Sequence, residues 1–282
     1  MRVLLAGGTG VIGRRIIPLL VAQGHDVTAL TRRAASTALI EGLGARPIVA
    51  DVYEPAALDA AMRLARPDTV MHQLTDLGAG DRLANAKIRR IGTRHLVNSA
   101  LAAGVTRMIA QSIAWAYEPG DRPATEDTPL DLASTGDRLD TVAGIATLEN
   151  AVNELPEAVI LRYGIFYGPD TWYAPDALMA ETARAGGLTA TADVTSFVHV
   201  DDAAAAAMAA LTWAPGAVNV CDDEPASAGE WMPLFCSVAG AGTPENSGTR
   251  TAWARGADNR VLRHDRGFTL RYPTWRTGFL AG

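Results

Sequence analysis

The stretch Arg2-Val3-Leu4-Leu5-Ala6-Gly7-Gly8-Thr9-Gly10-Val11-Ile12-Gly13 decides the fold. An apolar run too short for a helix ends in glycines at 7, 10 and 13, and a helical pattern follows to Gln23. In that context the glycines read as the turn between a buried strand and a helix. They let the backbone turn tightly and approach a pyrophosphate, while the helix N-terminus offers free N–H groups and the positive end of its dipole. Gly7, Thr9, Gly10, Val11, Ile12 and Gly13 are therefore expected to hold the phosphates of a dinucleotide.

Outward from that turn, short apolar runs alternate with helical patterns. Strands are expected at Arg2–Ala6, Asp26–Thr31, Arg46–Ala50, Asp68–His72 and Arg107–Gln111. Helices are expected near Val11–Gln23, Thr37–Leu43, Pro55–Arg63 and Leu83–Ala103. Each step has the length of a βαβ unit, and continuous rather than alternating apolar runs mark strands covered on both faces. The fold class is therefore α/β, a Rossmann-type doubly wound parallel sheet. After an irregular stretch, 117–137, come a helix near Arg138–Asn153 and a strand at Ala158–Arg162. Elements then become shorter and less regular. Residues 1–165 read as the dinucleotide-binding domain. Residues 166–282 read as a small C-terminal substrate-binding cap interleaved with the core. Within it, Asp201 or Asp202 is expected to cap an alanine-rich helix. Asp222-Asp223-Glu224 reads as a solvated turn, and Gly240–Gly256 as a flexible connection.

The end of the second strand bears on the cofactor. An acidic residue there would hold the ribose 2′-hydroxyl of NAD. This chain has Thr31-Arg32-Arg33, with two guanidiniums able to clamp a 2′-phosphate, so NADP(H) is expected rather than NAD(H). Asp51-Val52, after the third strand, is placed to accept a hydrogen bond from the adenine amino group.

Composition narrows the rest. The 282 residues carry a formal charge of −6, with 48% hydrophobic and 20% charged residues. That balance is soluble and globular, and it gives no global attraction to nucleic acid. No apolar run reaches membrane-spanning length and no signal peptide is visible, so a cytoplasmic location and a small-molecule partner are expected. Cys221 and Cys236 form no metal-binding pattern and read as reduced thiols. Lys87 is the sole lysine.

Further motifs carry a resemblance. These are the glycine turn, Asp51-Val52, Val70-Met71-His72-Gln73-Leu74, Ile91-Gly92-Thr93, Ser112, the run Arg162–Pro169, Phe197–Asp202 and the tail Tyr272–Phe279. With them the chain resembles the extended short-chain dehydrogenase/reductases, in particular the epimerase/dehydratase branch, over nearly its whole length. The resemblance implies that Gln73 and Leu74 also line the cofactor. It implies pairing of two copies through the helices near 83–103 and 138–153. It further implies a Ser–Tyr–Lys set, with Tyr and Lys four residues apart on one helix. Counted back from Glu149, those two positions hold Thr141 and Ile145, and neither can do the chemistry. None of the six tyrosines is followed by lysine four residues later. Ser112 alone matches, while Arg89 and Ile165 stand where the family often has Asn.

The chemistry that remains needs another proton route. Tyr117, five residues past Ser112, and Tyr167, at the end of the sixth strand, are the candidate acids by this resemblance, with Ser112 beside them. His199 and His72 read as structural. The leading expectation is an atypical NADP(H)-dependent reductase or dehydrogenase for a small, rather apolar carbonyl or alcohol. Trp115, Tyr117, Phe166, Tyr167, Trp172 and Tyr173 would form its aromatic rim. The missing pair keeps two alternatives open: a non-redox isomerase, lyase or cyclase, and a cofactor-sensing regulatory protein.

Overall fold

The computed structural model describes residues 1–76 and 82–281. In chain order the elements begin with β1 (Arg2–Ala6), α1 (Gly13–Ala22), β2 (Asp26–Thr31), α2 (Thr37–Gly42), β3 (Arg46–Val49), α3 (Pro55–Ala65) and β4 (Thr69–His72). Next come α4 (Arg82–Lys87), a π turn (Ile88–Gly92), α5 (Thr93–Ala102), β5 (Arg107–Ile113), α6 (Gly136–Val152), β6 (Glu157–Tyr163) and β7 (Ile165–Tyr167). The chain continues through α7 (Leu178–Arg184), β8 (Thr189–Ala190), β9 (Val194–Thr195), β10 (Phe197–His199), α8 (Val200–Ala209) and β11 (Gly216–Val220). It finishes with β12 (Ala226–Ser227), α9 (Ala228–Val238), β13 (Glu245–Asn246) and α10 (Trp275–Gly278).

A seven-stranded sheet runs β11-β6-β5-β4-β1-β2-β3. The β1–β2, β2–β3, β1–β4 and β4–β5 pairs are parallel. Strand order reverses between β1 and β4, which is the switch point of a Rossmann-type α/β fold. The strands are apolar runs because both faces are covered; β4 is buried at every position. Local signals set the ends. Pro55 opens α3 where its missing N–H costs nothing, and α3 stops at Arg66, left-handed with φ 44°, just before Pro67. The one long helix expected over 83–103 is interrupted by the π turn at Ile88–Gly92.

The chain folds as two compact units that interleave along the sequence. Unit 1 comprises Met1–Ser112, Leu132–Leu161 and Ala204–Ala217; unit 2 comprises Ile113–Asp131, Arg162–Ala203 and Val218–Gly282. The core of unit 1 gathers Leu4, Leu30, Leu58, Val70, Leu96, Met108, Leu148 and Ile160. That of unit 2 is aromatic, with Tyr167, Phe197, Trp231, Phe235, Trp275 and Phe279. No helix among the described residues is long and apolar enough to cross a membrane.

Three expectations about unit 2 change. Asp222-Asp223-Glu224 is not a solvated turn. Asp222 is 1% exposed and accepts the Trp275 N–H at 2.9 Å, and Glu224 accepts from Thr274 and Arg276 at 2.5 Å each. Asp202 does not cap its helix; its two oxygens accept the N–H groups of Arg271 and Tyr272 at 2.9 and 2.8 Å. Both changes have one cause. The tail beginning near Arg271 lacks a ladder of its own, and buried carboxylates satisfy its backbone donors. The segment 240–256 is not a bare connection either. Its Val194–Arg255 bridge and the Asp193–Thr251 hydrogen bonds tie it to β9.

Candidate cofactor cradle and substrate cavity

The glycine turn is built by close approach. Gly7 has φ +97°, and a Cβ on it would lie 2.4 Å from the Gln73 carbonyl oxygen after β4. A Cβ on Gly13 would lie 2.1 Å from the Gly7 oxygen. At Gly10 the nearest atom would be that same oxygen at 3.3 Å, so this face of the turn stays open. Gly10 N–H donates to the Gly7 oxygen at 3.0 Å, and α1 starts with no side-chain cap. A turn of this shape at the switch point can hold a pyrophosphate. Gln73 adds a stronger sign. It is 4% exposed, and among the described residues neither its amide nitrogen nor its amide oxygen has a hydrogen-bond partner. Buried polar groups are almost always paired, so an orphan amide beside the turn fits a bound dinucleotide with polar edges.

The other cofactor candidates lie in the same unit. Arg32 is exposed and pairs with Asp76 at 3.2 Å; Arg33 is exposed and its guanidinium has no partner among the described residues. Asp51 accepts the Tyr53 N–H at 2.9 Å, closing a turn before α3. Val52 is buried, and a Cβ on Gly92 would lie 3.0 Å from its Cγ2. Leu74 is half-buried, and its N–H donates to His72 Nδ1 at 3.3 Å. His72 is wholly buried, with Nε2 at 2.7 Å from Thr93 Oγ1. Burial holds its pKa down to about 4, so the ring is neutral.

Ser112 and the positions that the resemblance assigns to the Tyr and Lys are also in unit 1. Ser112 Oγ donates to Glu149 Oε1 at 2.6 Å, both residues being buried. Its hydrogen is thereby committed and only its lone pairs remain. The Thr141 hydroxyl donates back to the Asp137 carbonyl at 3.0 Å, and Ile145 is fully buried.

Unit 2 contains a cavity of about 310 Å³. Trp115, Tyr173 and Trp253 give it aromatic walls, and Gly164 and Gly256 bring backbone to its lining. Arg255 is its cation. Its Nε donates to the Arg122 carbonyl at 2.5 Å and its Nη1 to Glu118 at 3.2 Å, leaving Nη2 without a partner among the described residues. The guanidinium lies flat against Gly120, where a Cβ would come within 2.2 Å of Nη1.

Tyr117 lines this cavity but is 1% exposed. Its hydroxyl donates to Asn219 Oδ1 and accepts from Arg162 at 3.1 Å, and burial raises its pKa. Tyr167 is fully buried, packed edge-on to Phe197 and His199, with its hydroxyl against Gly278. Burial, then the carboxylates of Asp222 and Asp202, raise its pKa. His199 stacks on Tyr272 at 3.7 Å and accepts the Asp201 N–H at 3.1 Å, a structural arrangement. Of the aromatic rim, Trp115 and Trp172 are exposed. Sequence reasoning missed Arg255 because small residues dominate its segment; the signal was Trp253-Ala254-Arg255. Among the described residues no cluster of His, Cys, Asp or Glu could hold a metal ion.

Comparison with known proteins is consistent along the chain. Residues 3–221 match the NAD dependent epimerase/dehydratase family. A Streptomyces protein named 3-diazoavenalumate denitrifying reductase is 41% identical over 305 aligned positions, covering 99% of both chains. The 2-alkyl-3-oxoalkanoate reductase of Stenotrophomonas maltophilia is 29% identical over 83% of this chain and 72% of its own. The UDP-glucose 4-epimerase of Thermus thermophilus, solved with NAD, superposes with TM-score 0.77 over 99% of this chain and 96% of its own. At 23% identity that likeness is one of fold.

Proposed function

The chain belongs to the NAD dependent epimerase/dehydratase family, and from that premise we propose that it is an NADPH-dependent reductase whose acceptor needs no proton from the protein. The carrying observation is the state of the hydroxyls. Thr141 and Ile145 occupy the positions that the resemblance assigns to the Tyr and Lys, Ser112 gives its hydrogen to Glu149, Tyr117 gives its own to Asn219, and Tyr167 is fully buried in the core of unit 2. A carbonyl acceptor would leave an alkoxide in need of a proton, and Ser112 and Tyr117 have theirs committed elsewhere. A diazonium acceptor has no such need.

When bound, the dinucleotide supplies a hydride. On a diazonium carbon that hydride would form the new C–H bond while the C–N bond would break and its electron pair would leave in dinitrogen. The relative named as a denitrifying reductase of a diazo compound supports this class of substrate.

This chain's own residues bind and orient. The turn at Gly7–Gly13 would take the pyrophosphate, and Gln73 and Leu74 would line the cofactor beside it. Asp51 and Val52 would flank the adenine. Arg33 would clamp a 2′-phosphate, joined by Arg32, whose exposed pair with Asp76 is weak enough to be exchanged. Trp115, Tyr173 and Trp253 would stack on a planar substrate, and Arg255 would hold an anionic group on it. Both relatives' names describe carboxylates, which fits that cation.

The test is turnover of an aryl diazonium carboxylate by the purified protein with NADPH. We expect NADPH consumption matched by dinitrogen release, with deuterium from labelled NADPH at the carbon that lost nitrogen. Consumption only with ketones would establish the carbonyl reading instead. Product without NADPH oxidation would establish a non-redox enzyme. Binding without any turnover would leave a sensor.

A further inference from the structure

We propose that Arg89 is the anion-binding residue of the cofactor cradle, supplying positive charge to the dinucleotide's pyrophosphate. Arg89 sits in the π turn and is 8% exposed. Among the described residues its guanidinium makes no hydrogen bond and no ion pair. The same chain shows what a satisfied buried arginine looks like. Arg162, equally buried at 8%, donates to the Tyr117 hydroxyl at 3.1 Å and the Glu126 carbonyl at 3.0 Å. A buried charge without a partner is among the costliest features a fold can retain. Its retention points to an anion that arrives with a ligand.

Position identifies that anion. The aliphatic part of Arg89 runs along α6 at Gly144, where a Cβ would lie 3.8 Å from Arg89 Cδ and 3.9 Å from its Cβ. The next residue is Ile145, where the resemblance implies a lysine. Arg89 also stands near enough to His72 for its charge to help lower the pKa of that ring, after the larger effect of burial. His72 precedes Gln73, whose carbonyl meets Gly7 and whose amide is unpartnered among the described residues. Two orphan polar side chains, one amide and one guanidinium, thus belong to the β4 side of the switch point. The 2′-phosphate candidates Arg32 and Arg33 follow β2, on the other side of β1. The pyrophosphate at the glycine turn is the anion that β1 and β4 share. A π turn explains the delivery: its extra residue rotates the helix face locally, and such turns are frequent at functional sites. Thr93 Oγ1, 2.7 Å from His72 Nε2, fastens the end of the turn to β4.

The inference rests on the dinucleotide reading, and the experiment separates the two. Affinities are measured by fluorescence titration, with melting temperature of the ligand-free protein alongside. The ligands are NADPH, 2′-phospho-ADP-ribose and adenosine 2′,5′-bisphosphate, of which the last lacks the pyrophosphate. Arg89→Met is expected to weaken the first two by about 30-fold or more, since removing one partner of a buried charge pair costs that much. It should leave the bisphosphate within about 3-fold and raise the apo melting temperature, because an unpaired buried charge is gone. Arg89→Lys should recover most of the affinity. Unchanged NADPH affinity in Arg89→Met would overturn the proposal. So would a lowered melting temperature with all three ligands weakened alike, which marks structural damage. Loss confined to NADPH would move the residue to the nicotinamide end and overturn the pyrophosphate assignment. If the unaltered protein binds neither NADPH nor NADH, the dinucleotide reading itself fails.

Discussion

The Tyr117 hydroxyl donates to Asn219, accepts from Arg162 and sees no solvent. Asn219 in turn donates to the carbonyls of Ala124 and Asp258 at 3.1 and 2.9 Å, so the phenol is one link in a closed network. Such a network is costly to break, because each freed partner stays buried. Tyr117→Phe should therefore lower stability by about 1–3 kcal/mol, read by chemical denaturation, while turnover stays within about 3-fold of the unaltered protein. A fall of about 100-fold in rate, the size of a lost general acid, would restore Tyr117 to the chemistry. At this scale the sequence was informative about residue type and silent about burial. It brought Tyr117, Tyr167 and Ser112 forward as hydroxyls. Only contacts across 102 residues for Tyr117 and 37 for Ser112 revealed that those two are already spent.

Elements differ in how openly they announce themselves. The strands β1, β2 and β4 were legible because burial on both faces demands continuous apolar runs, and helix α3 because proline marks its start and its end. The π turn was not, since its sequence keeps an ordinary helical period through Ile88, Ile91 and Leu96. The tail was misread for a related reason. Its backbone donors are satisfied by Asp202 and Asp222 and its Thr274 and Arg276 side chains by Glu224, acids that resemble solvated residues in isolation. Asp202→Ala should leave two N–H groups unpaired and cost about 1–3 kcal/mol. The expected result is a lower melting temperature with earlier proteolysis after Gly267; an unchanged melting temperature would mean the tail holds without this anchor.

For the whole molecule, two buried titratable groups set opposing pH dependences. His72 has its pKa held down to about 4 by burial, so its contribution is complete above about 6.5 and lost as pH falls toward 4. Burial pushes the Asp222 carboxyl up to about 8. It stays neutral in the folded protein while the unfolded chain ionises near 4, so stability falls as pH rises from about 4 to 8. Between about 4 and 6.5 the two slopes cancel, and above that Asp222 acts alone. The melting temperature of Asp222→Asn minus that of the unaltered protein should therefore climb from about pH 4 to 8 and then level. The corresponding difference for His72→Gln should grow as pH falls below about 6.5. Differences that do not vary with pH would remove both groups from this account.

The sequence by itself determined the Rossmann-type sheet and its glycine turn. Those depend on short-range facts: apolar runs of strand length, glycines at 7, 10 and 13 between the first run and the first helix, and helical periodicity between the runs. It also determined that the chain contains no Tyr-x-x-x-Lys pair, since the one lysine in 282 residues, Lys87, has Leu83 four positions before it. Tertiary structure alone decided which polar groups are satisfied and which are not. Ser112 is tied to Glu149 and Tyr117 to Asn219, whereas among the described residues the Gln73 amide has no hydrogen-bond partner and the largely buried Arg89 makes no hydrogen bond or ion pair. The physical reason is that satisfaction of a buried polar group is a property of its neighbours in space, and local pattern carries no record of them.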